Sequence, residues 1–316
     1  MIDVIGVPFD LCGKRLGSRL GPPALRLAGL TKVLQDLGLE VHDQGDLPTG
    51  IDAAKQDGLR NFEPLLSCVT DLKRRTLDAL SRGSMPLVLG GEHDLSIGSV
   101  SAALEVFDGD LALLWIDAHA DVNTPATSTT GNLHGMPIAA LQGVHSGYGG
   151  KVEMQWGKLL SEVVPASRQR ADRCAWYGLR DVDPGERDLI RRTPGDCAIT
   201  MQDVDRRGVV DTMHEVDRWL RGTGATKLWI SFDVDVLDPI LAPGTGTAVR
   251  GGLTYREAHL CAELLREFLD APDCPYQLAG LDVVEVNPLF DTNNETAKMA
   301  VEWIGSLFGK SILGAR

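Results

Sequence analysis

The chain has 316 residues, 43% of them apolar and 24% charged, and a formal net charge of −13 at pH 7. That acidity repels phosphate backbones and anionic bilayer surfaces, which argues against nucleic acid and membrane as partners. A chain of this length buries a large core without disulfide staples, so Cys12, Cys68, Cys174, Cys197, Cys261 and Cys274, none in a C-x-x-C pair, read as reduced and mostly buried thiols.

The chain opens on an apolar run, Ile2–Val7, with no basic segment ahead of it, which reads as a first strand rather than a signal peptide. No apolar run reaches the ~18 residues of a membrane span, and a cytoplasmic protein is expected. A basic, glycine-containing loop, Leu11–Gly21, carries Lys14, Arg15 and Arg19. Helical apolar spacing then marks Pro23–Leu37 and Asn61–Leu80. Met85–Leu89 and Leu111–Ile116 read as strands, and Asn123–Asn132 as a polar loop. The strands Cys174–Gly178, Ala198–Met201, Leu228–Val234 and Leu281–Val286 follow, with helical patterns at Asp211–Leu220, Tyr255–Leu269 and Thr296–Leu307. Strand–helix alternation with apolar strands predicts an α/β fold whose parallel sheet is covered on both faces. Without repeats or a low-complexity linker, residues 1–316 are expected to form one domain.

Open parallel sheets bind ligands at the carboxyl ends of their strands. Here Leu111–Ile116 runs into Asp117-Ala118-His119-Ala120-Asp121, and Leu228–Ser231 runs into Phe232-Asp233-Val234-Asp235. In extended chain, residues two apart share a face, so each acidic set is expected to converge. Met85–Leu89 runs into Gly90-Gly91-Glu92-His93. Two histidines and four aspartates are too many for one zinc ion, but they suit two ions sharing carboxylates. The oxygen-rich set favours manganese, and four carboxylates balance two dications. A single D-x-H is more often a satisfied polar pair; D-x-H-x-D together with D-x-D favours metal. The other histidines, His42, His145, His214 and His259, and the strand tryptophans Trp115 and Trp176, read as structural.

These three segments resemble the signatures of the ureohydrolase superfamily, which includes arginases, agmatinases and formimidoylglutamases. The resemblance runs from Gly6-Val7-Pro8-Phe9 to Ser306-Leu307-Phe308-Gly309. It implies a three-layer α/β/α sandwich on a mostly parallel eight-stranded sheet, and two Mn2+ per subunit. It makes Asp117 and Asp233 bridging ligands, His93 and Asp121 complete one ion, and His119 and Asp235 the other. The loop Asn123-Thr124-Pro125 through Gly131-Asn132-Leu133-His134 is similar to the arginase version. It implies that Asn123 and Thr130 contact a substrate α-carboxylate, with Asn132 nearby. Asp183 and Glu186 receive the α-ammonium, Asp183 directly. Glu285 pairs with the guanidinium, and Thr247 lies close.

The implied reaction is hydrolysis of L-arginine to urea and L-ornithine. Two ions bridging one water supply hydroxide at neutral pH. Asp121 accepts the first proton, and His134, an imidazole with a pKa ordinarily near 6.5, shuttles it. Homotrimers or homohexamers follow from the resemblance alone. The rival readings are an agmatinase- or guanidinobutyrase-type hydrolase and a metal-binding protein with a dead site. Bland roles are a helix cap for Asp183 before Pro184, a core ion pair for Glu285 and loop support for His134. Four departures stand out. Glu92 and Asp94 flank His93 where Asp and Ser are more usual, with Glu92 expected to point away from His93 and Asp94 to add an acid near the metal. Thr130 stands where serine is common. Val236 stands where glycine is usual and is expected to restrict the backbone. Pro243-Gly244-Thr245-Gly246-Thr247 occurs more often in agmatinase-type relatives.

Overall fold

The computed structural model describes residues 1–50, 58–193, 195 and 197–314. Eight strands form one sheet: β1 (Ile2–Val7), β2 (Val41–Asp46), β3 (Met85–Gly90), β4 (Ala112–Ile116), β5 (Cys174–Leu179), β6 (Cys197–Thr200), β7 (Lys227–Asp233) and β8 (Gln277–Val284). Their spatial order is β2-β1-β3-β8-β7-β4-β5-β6, and every pairing is parallel. The expected mostly parallel sheet is therefore parallel throughout.

Strand alternation divides the core between two faces. Leu114, Ile116, Leu228, Ile230, Leu281 and Val283 pack on one side. The helices there are α1 (Gly21–Leu27), α2 (Leu30–Asp36), α8 (Met201–Thr223), α9 (Tyr255–Asp270) and α10 (Glu295–Leu307). Leu113, Trp115, Trp176, Trp229 and Val88 face the other side. That side holds α3 (Phe62–Ser81), α4 (Ser96–Val106), α5 (Pro137–Gln142) and α6 (Gly150–Glu162), with Leu189 and Ile190 of α7 (Pro184–Arg192) packed against it. The inner strands are apolar on both faces because each face is covered.

The expected helix Pro23–Leu37 is two helices. Gly29 adopts φ 93 and starts the second one as its left-handed cap. α8 begins ten residues before the expected Asp211 and crosses a kink at Gly208. The strand β2, Val-His-Asp-Gln-Gly-Asp, escaped the pattern because it lies at the sheet edge, half exposed and polar. α4 escaped for the opposite reason: it is buried from Ser96 through Leu104, so it shows no polar face.

Gly280 on β8 lies flat under the Trp229 indole, where an added Cβ would sit 2.2 Å from a ring carbon. We predict that Gly280→Ala destabilises the protein by about 1–3 kcal/mol, the usual cost of overpacking a filled core. Urea unfolding midpoints check this; an unchanged midpoint would show that the indole moves freely.

Candidate metal and substrate site

All the candidate residues gather at the carboxyl ends of five adjacent strands, β3, β8, β7, β4 and β5, or in the loops that follow them. They converge by a different device from the one expected. Strand β4 ends at Ile116, and β7 ends at Asp233. Beyond those points the chain turns. Asp117 Oδ1 accepts from the His119 amide at 2.7 Å, and Asp233 Oδ1 accepts from the Asp235 amide at 2.7 Å. Each aspartate thus closes a short turn on its own backbone, while its Oδ2 lies 3.0 Å (Asp117) or 3.3 Å (Asp233) from His93. Asp121 takes φ 51 and Glu285 φ 64, the left-handed region that costs a non-glycine residue roughly 1–3 kcal/mol. The second of these ends β8 at Val284, short of the expected Val286.

Two clusters result, and Asp117 belongs to both. In the first, His93 Nδ1 faces Asp117 Oδ2 at 3.0 Å, Asp121 Oδ2 at 3.1 Å and Asp233 Oδ2 at 3.3 Å. In the second, His119 Nδ1 faces Asp235 Oδ2 at 3.0 Å and Asp117 Oδ1 at 3.3 Å. His93 Nδ1 is fully buried and aligned for a hydrogen bond with none of the three oxygens. Its Nε2 lies 2.8 Å from Ser231 Oγ, which in turn contacts the buried Asp282 carboxylate at 3.4 Å. With Ser231 donating to Asp282, its oxygen accepts the Nε2 proton, and the Nδ1 lone pair points at the aspartates. A buried nitrogen lone pair among three carboxylate oxygens fits a cation.

Without a metal ion the aspartates hold a proton on each imidazole in its place. Burial lowers the pKa of His93, yet Asp117, Asp121 and Asp233 outweigh it and raise the group well above 6.5. His119 is raised likewise, with Asp235 and Asp117 overcoming burial. Burial and the repulsion of Asp117 push Asp121 up to about 6, and burial with Asp235 pushes Asp233 up. Asp117, held between two imidazoles, falls below the ordinary carboxylate range despite its burial.

Around the clusters lies a cleft of about 400 Å³. His134 Nδ1 and Glu285 Oε1 meet in it at 3.3 Å. Thr247 donates to Asp235 Oδ2 at 2.7 Å, so it touches a candidate ligand as well as the cleft. Asn123 donates to Asp183 Oδ2 at 2.9 Å. Glu186 accepts the amides of Asp183 at 2.9 Å and Val122 at 3.1 Å, and burial raises it to about 7. Asp183 is the cap of α7 and also lines the cleft, so capping the helix does not withdraw its carboxylate from the cleft wall. Asn132 is buried and accepts from Arg60 at 2.8 Å, while Thr130, on the exposed loop, lines the rim with Lys14 and Arg15.

Several contributors were missed in the sequence. Trp115, assigned to the core, stacks on His93 with centroids 3.8 Å apart and donates its indole N–H to Asp117 at 2.9 Å. Its position two residues before Asp117 was the available signal. Ser231 and Asp282, with Ser96, Ser99 and Trp229 donating to Asp282, fix the rear of His93. Arg180 clamps the carbonyls of Asp235 and Val249. Glu92 does point away from the clusters, but it is far from idle: it accepts the amides of Cys12 and Gly13, both at 2.6 Å. Val236 is accommodated because Gly178 leaves room; a Cβ there would lie 2.4 Å from the valine.

The family model described as "Arginase family" matches residues 1–309. The chain belongs to the arginase family. An arginase of Staphylococcus aureus is 38% identical over 99% of this chain and 98% of its own length. The structure of the Bacillus caldovelox arginase superposes with a TM-score of 0.86 at 37% identity, covering 98% of this chain and 99% of that one. A structure described as a hypothetical agmatinase from Burkholderia thailandensis gives 0.69 at 25% identity, covering 97% and 84%. This is an arginase-family hydrolase, and its histidine–aspartate clusters can hold metal ions.

Two measurements probe the site. Stripping divalent ions should lower the thermal unfolding midpoint, and manganese at a hundredfold excess over its Kd should restore about 2.7 kcal/mol per site; no shift on chelation would argue against resident ions. In the metal-free protein, burial lowers His134 but Glu285, Glu92 and Asp121 outweigh it and raise it to about 10. The pair's stabilising contribution is then complete below the ordinary 6.5 and lost as pH rises through about 10. Unfolding of the stripped protein from about pH 6 to about pH 10.5 should show that loss, and His134→Asn should reduce it, leaving the part due to His93 and His119.

Proposed function

We propose that this chain hydrolyses L-arginine to urea and L-ornithine with two Mn2+ ions per subunit, as one domain spanning residues 1–316. His93, Asp117, Asp121 and Asp233 would hold one ion, and Asp117, His119, Asp233 and Asp235 the other. The all-nitrogen-and-oxygen donor set supports a hard cation such as manganese. Bound there, the ions supply a nucleophile of hydroxide strength at neutral pH.

The observation that carries this reading is Glu285 held against His134 at 3.3 Å beside both clusters. Glu285 offers the guanidinium a carboxylate at the cleft floor. Asp121 takes the proton released as the water oxygen bonds to the guanidinium carbon. His134 delivers a proton to the substrate's alkyl nitrogen as the C–N bond breaks, and its hold on a proton through neutral pH suits that task. Asp183, backed by Glu186, faces the α-ammonium. Asn123, Thr130 and Asn132 offer neutral donors to the α-carboxylate, and Thr247 braces Asp235 at the cleft wall. The higher structural similarity to the arginase than to the agmatinase supports arginine over agmatine. Buried free thiols support a cytoplasmic setting, and a homotrimer or homohexamer follows from the family resemblance.

Urea release from arginine, agmatine and 4-guanidinobutyrate should rank arginine first; faster turnover of agmatine would overturn the substrate. His134→Asn should lower kcat by about 10²–10⁴. Asp183→Ala should cost arginine roughly 10- to 100-fold in kcat/KM, the worth of a charged hydrogen bond. It should spare 4-guanidinobutyrate, which lacks the amine.

A further inference from the structure

We propose that Cys12, Glu92 and Asp94 form a third cation site, distinct from the two clusters in the cleft and taking a borderline-soft divalent ion such as zinc or cobalt(II). The sulfur of Cys12 and one oxygen from each carboxylate lie within 4.8 Å of one another. Donors on a common ion at 2.0–2.3 Å lie no more than about 4.6 Å apart, so a small side-chain adjustment closes the set. None of the three residues lines the cleft.

The cluster is acidic and sealed. Cys12 and Asp94 are 0% exposed, and Glu92 is 1% exposed. Glu92 has donors in the amides of Cys12 and Gly13. Asp94 has no amide or other nitrogen donor: its oxygens are buried, and the group that faces them is the Cys12 thiol. No lysine or arginine among the described residues forms an ion pair with either carboxylate. A buried, unpaired carboxylate beside a second one is costly unless a cation compensates it.

The surroundings are shaped as a cradle. The loop after Asp10 folds over Glu92 so closely that a Cβ at position 13 would lie 2.3 Å from Glu92 Oε1 and displace that carboxylate. Asp10 pins that loop by accepting the Gly17 amide at 2.6 Å. Glu92 and Asp94 flank His93 on either side in the chain, and here they meet around one thiol. The sulfur sets this site apart: a thiolate donor prefers a softer ion than the oxygen-rich clusters do.

Holoenzyme reconstituted anaerobically with cobalt(II) tests the site by metal-to-protein ratio and by near-ultraviolet thiolate-to-cobalt charge-transfer absorption. The expected result is three ions per chain with that absorption, and Cys12→Ser should remove one ion and the absorption together. Asp94→Ser, which leaves the cysteine intact, should also remove one ion and covers the case in which Cys12→Ser fails to fold. Two ions per chain without thiolate absorption, or an unchanged count in both variants, would overturn the site. Neither readout depends on which guanidino compound the enzyme cleaves.

Discussion

Like charges in a buried space repel with little screening, and this fold places Asp117, Asp121, Asp233 and Asp235 around two imidazoles with almost no water access. Much else in the molecule follows from that. The indole of Trp115, the hydroxyl of Ser231 and the carboxylate of Asp282 hold His93 from behind. The backbone amides of His119 and Asp235 tie down Oδ1 of Asp117 and of Asp233. That fixes both carboxylates with Oδ2 toward His93 and leaves Asp117 Oδ1 facing His119. The cluster stays ordered because most of its members are oriented by a partner outside it.

The parallel sheet makes this convergence possible. Strands β3, β8, β7, β4 and β5 end side by side, so five loops start from one edge. The strands themselves are apolar and covered on both faces, which leaves the polar chemistry to their last residues and first turns. The strained backbone at Asp121 and Glu285 lies at this edge as well. A well-packed sheet can carry that local cost because its core supplies the stability elsewhere.

Seven of the eight strands and the gathering of the histidines and aspartates at strand ends were legible in the sequence. Apolar runs ending in Asp-x-His-x-Asp, Asp-x-Asp and Glu-His bring so many acids to buried strand ends that only a cation makes them tolerable. β2 was not legible, since an edge strand needs no apolar face, and α4 was not, since a helix buried all round has no periodic contrast. The convergence of the aspartates was foreseen, but its cause was misjudged: side-chain turns, not continued strand, bring them together. That depends on single hydrogen bonds, which a pattern of residue types does not encode. Trp115 shows the same limit from the other side. An indole in a strand reads as core, and only its contact with His93 reveals a second task.

Val236 and Gly178 carry a consequence for how this enzyme can diverge. The valine lies in the turn that bears Asp235, and its side chain fills the space left open by a glycine on the neighbouring strand β5. Bulk at position 236 therefore depends on position 178 staying bare. Gly178 takes φ 99, which strains any side chain whatever stands at 236, so the backbone fixes the glycine first and the valine inherits its room, an order in which the two residues could have been acquired.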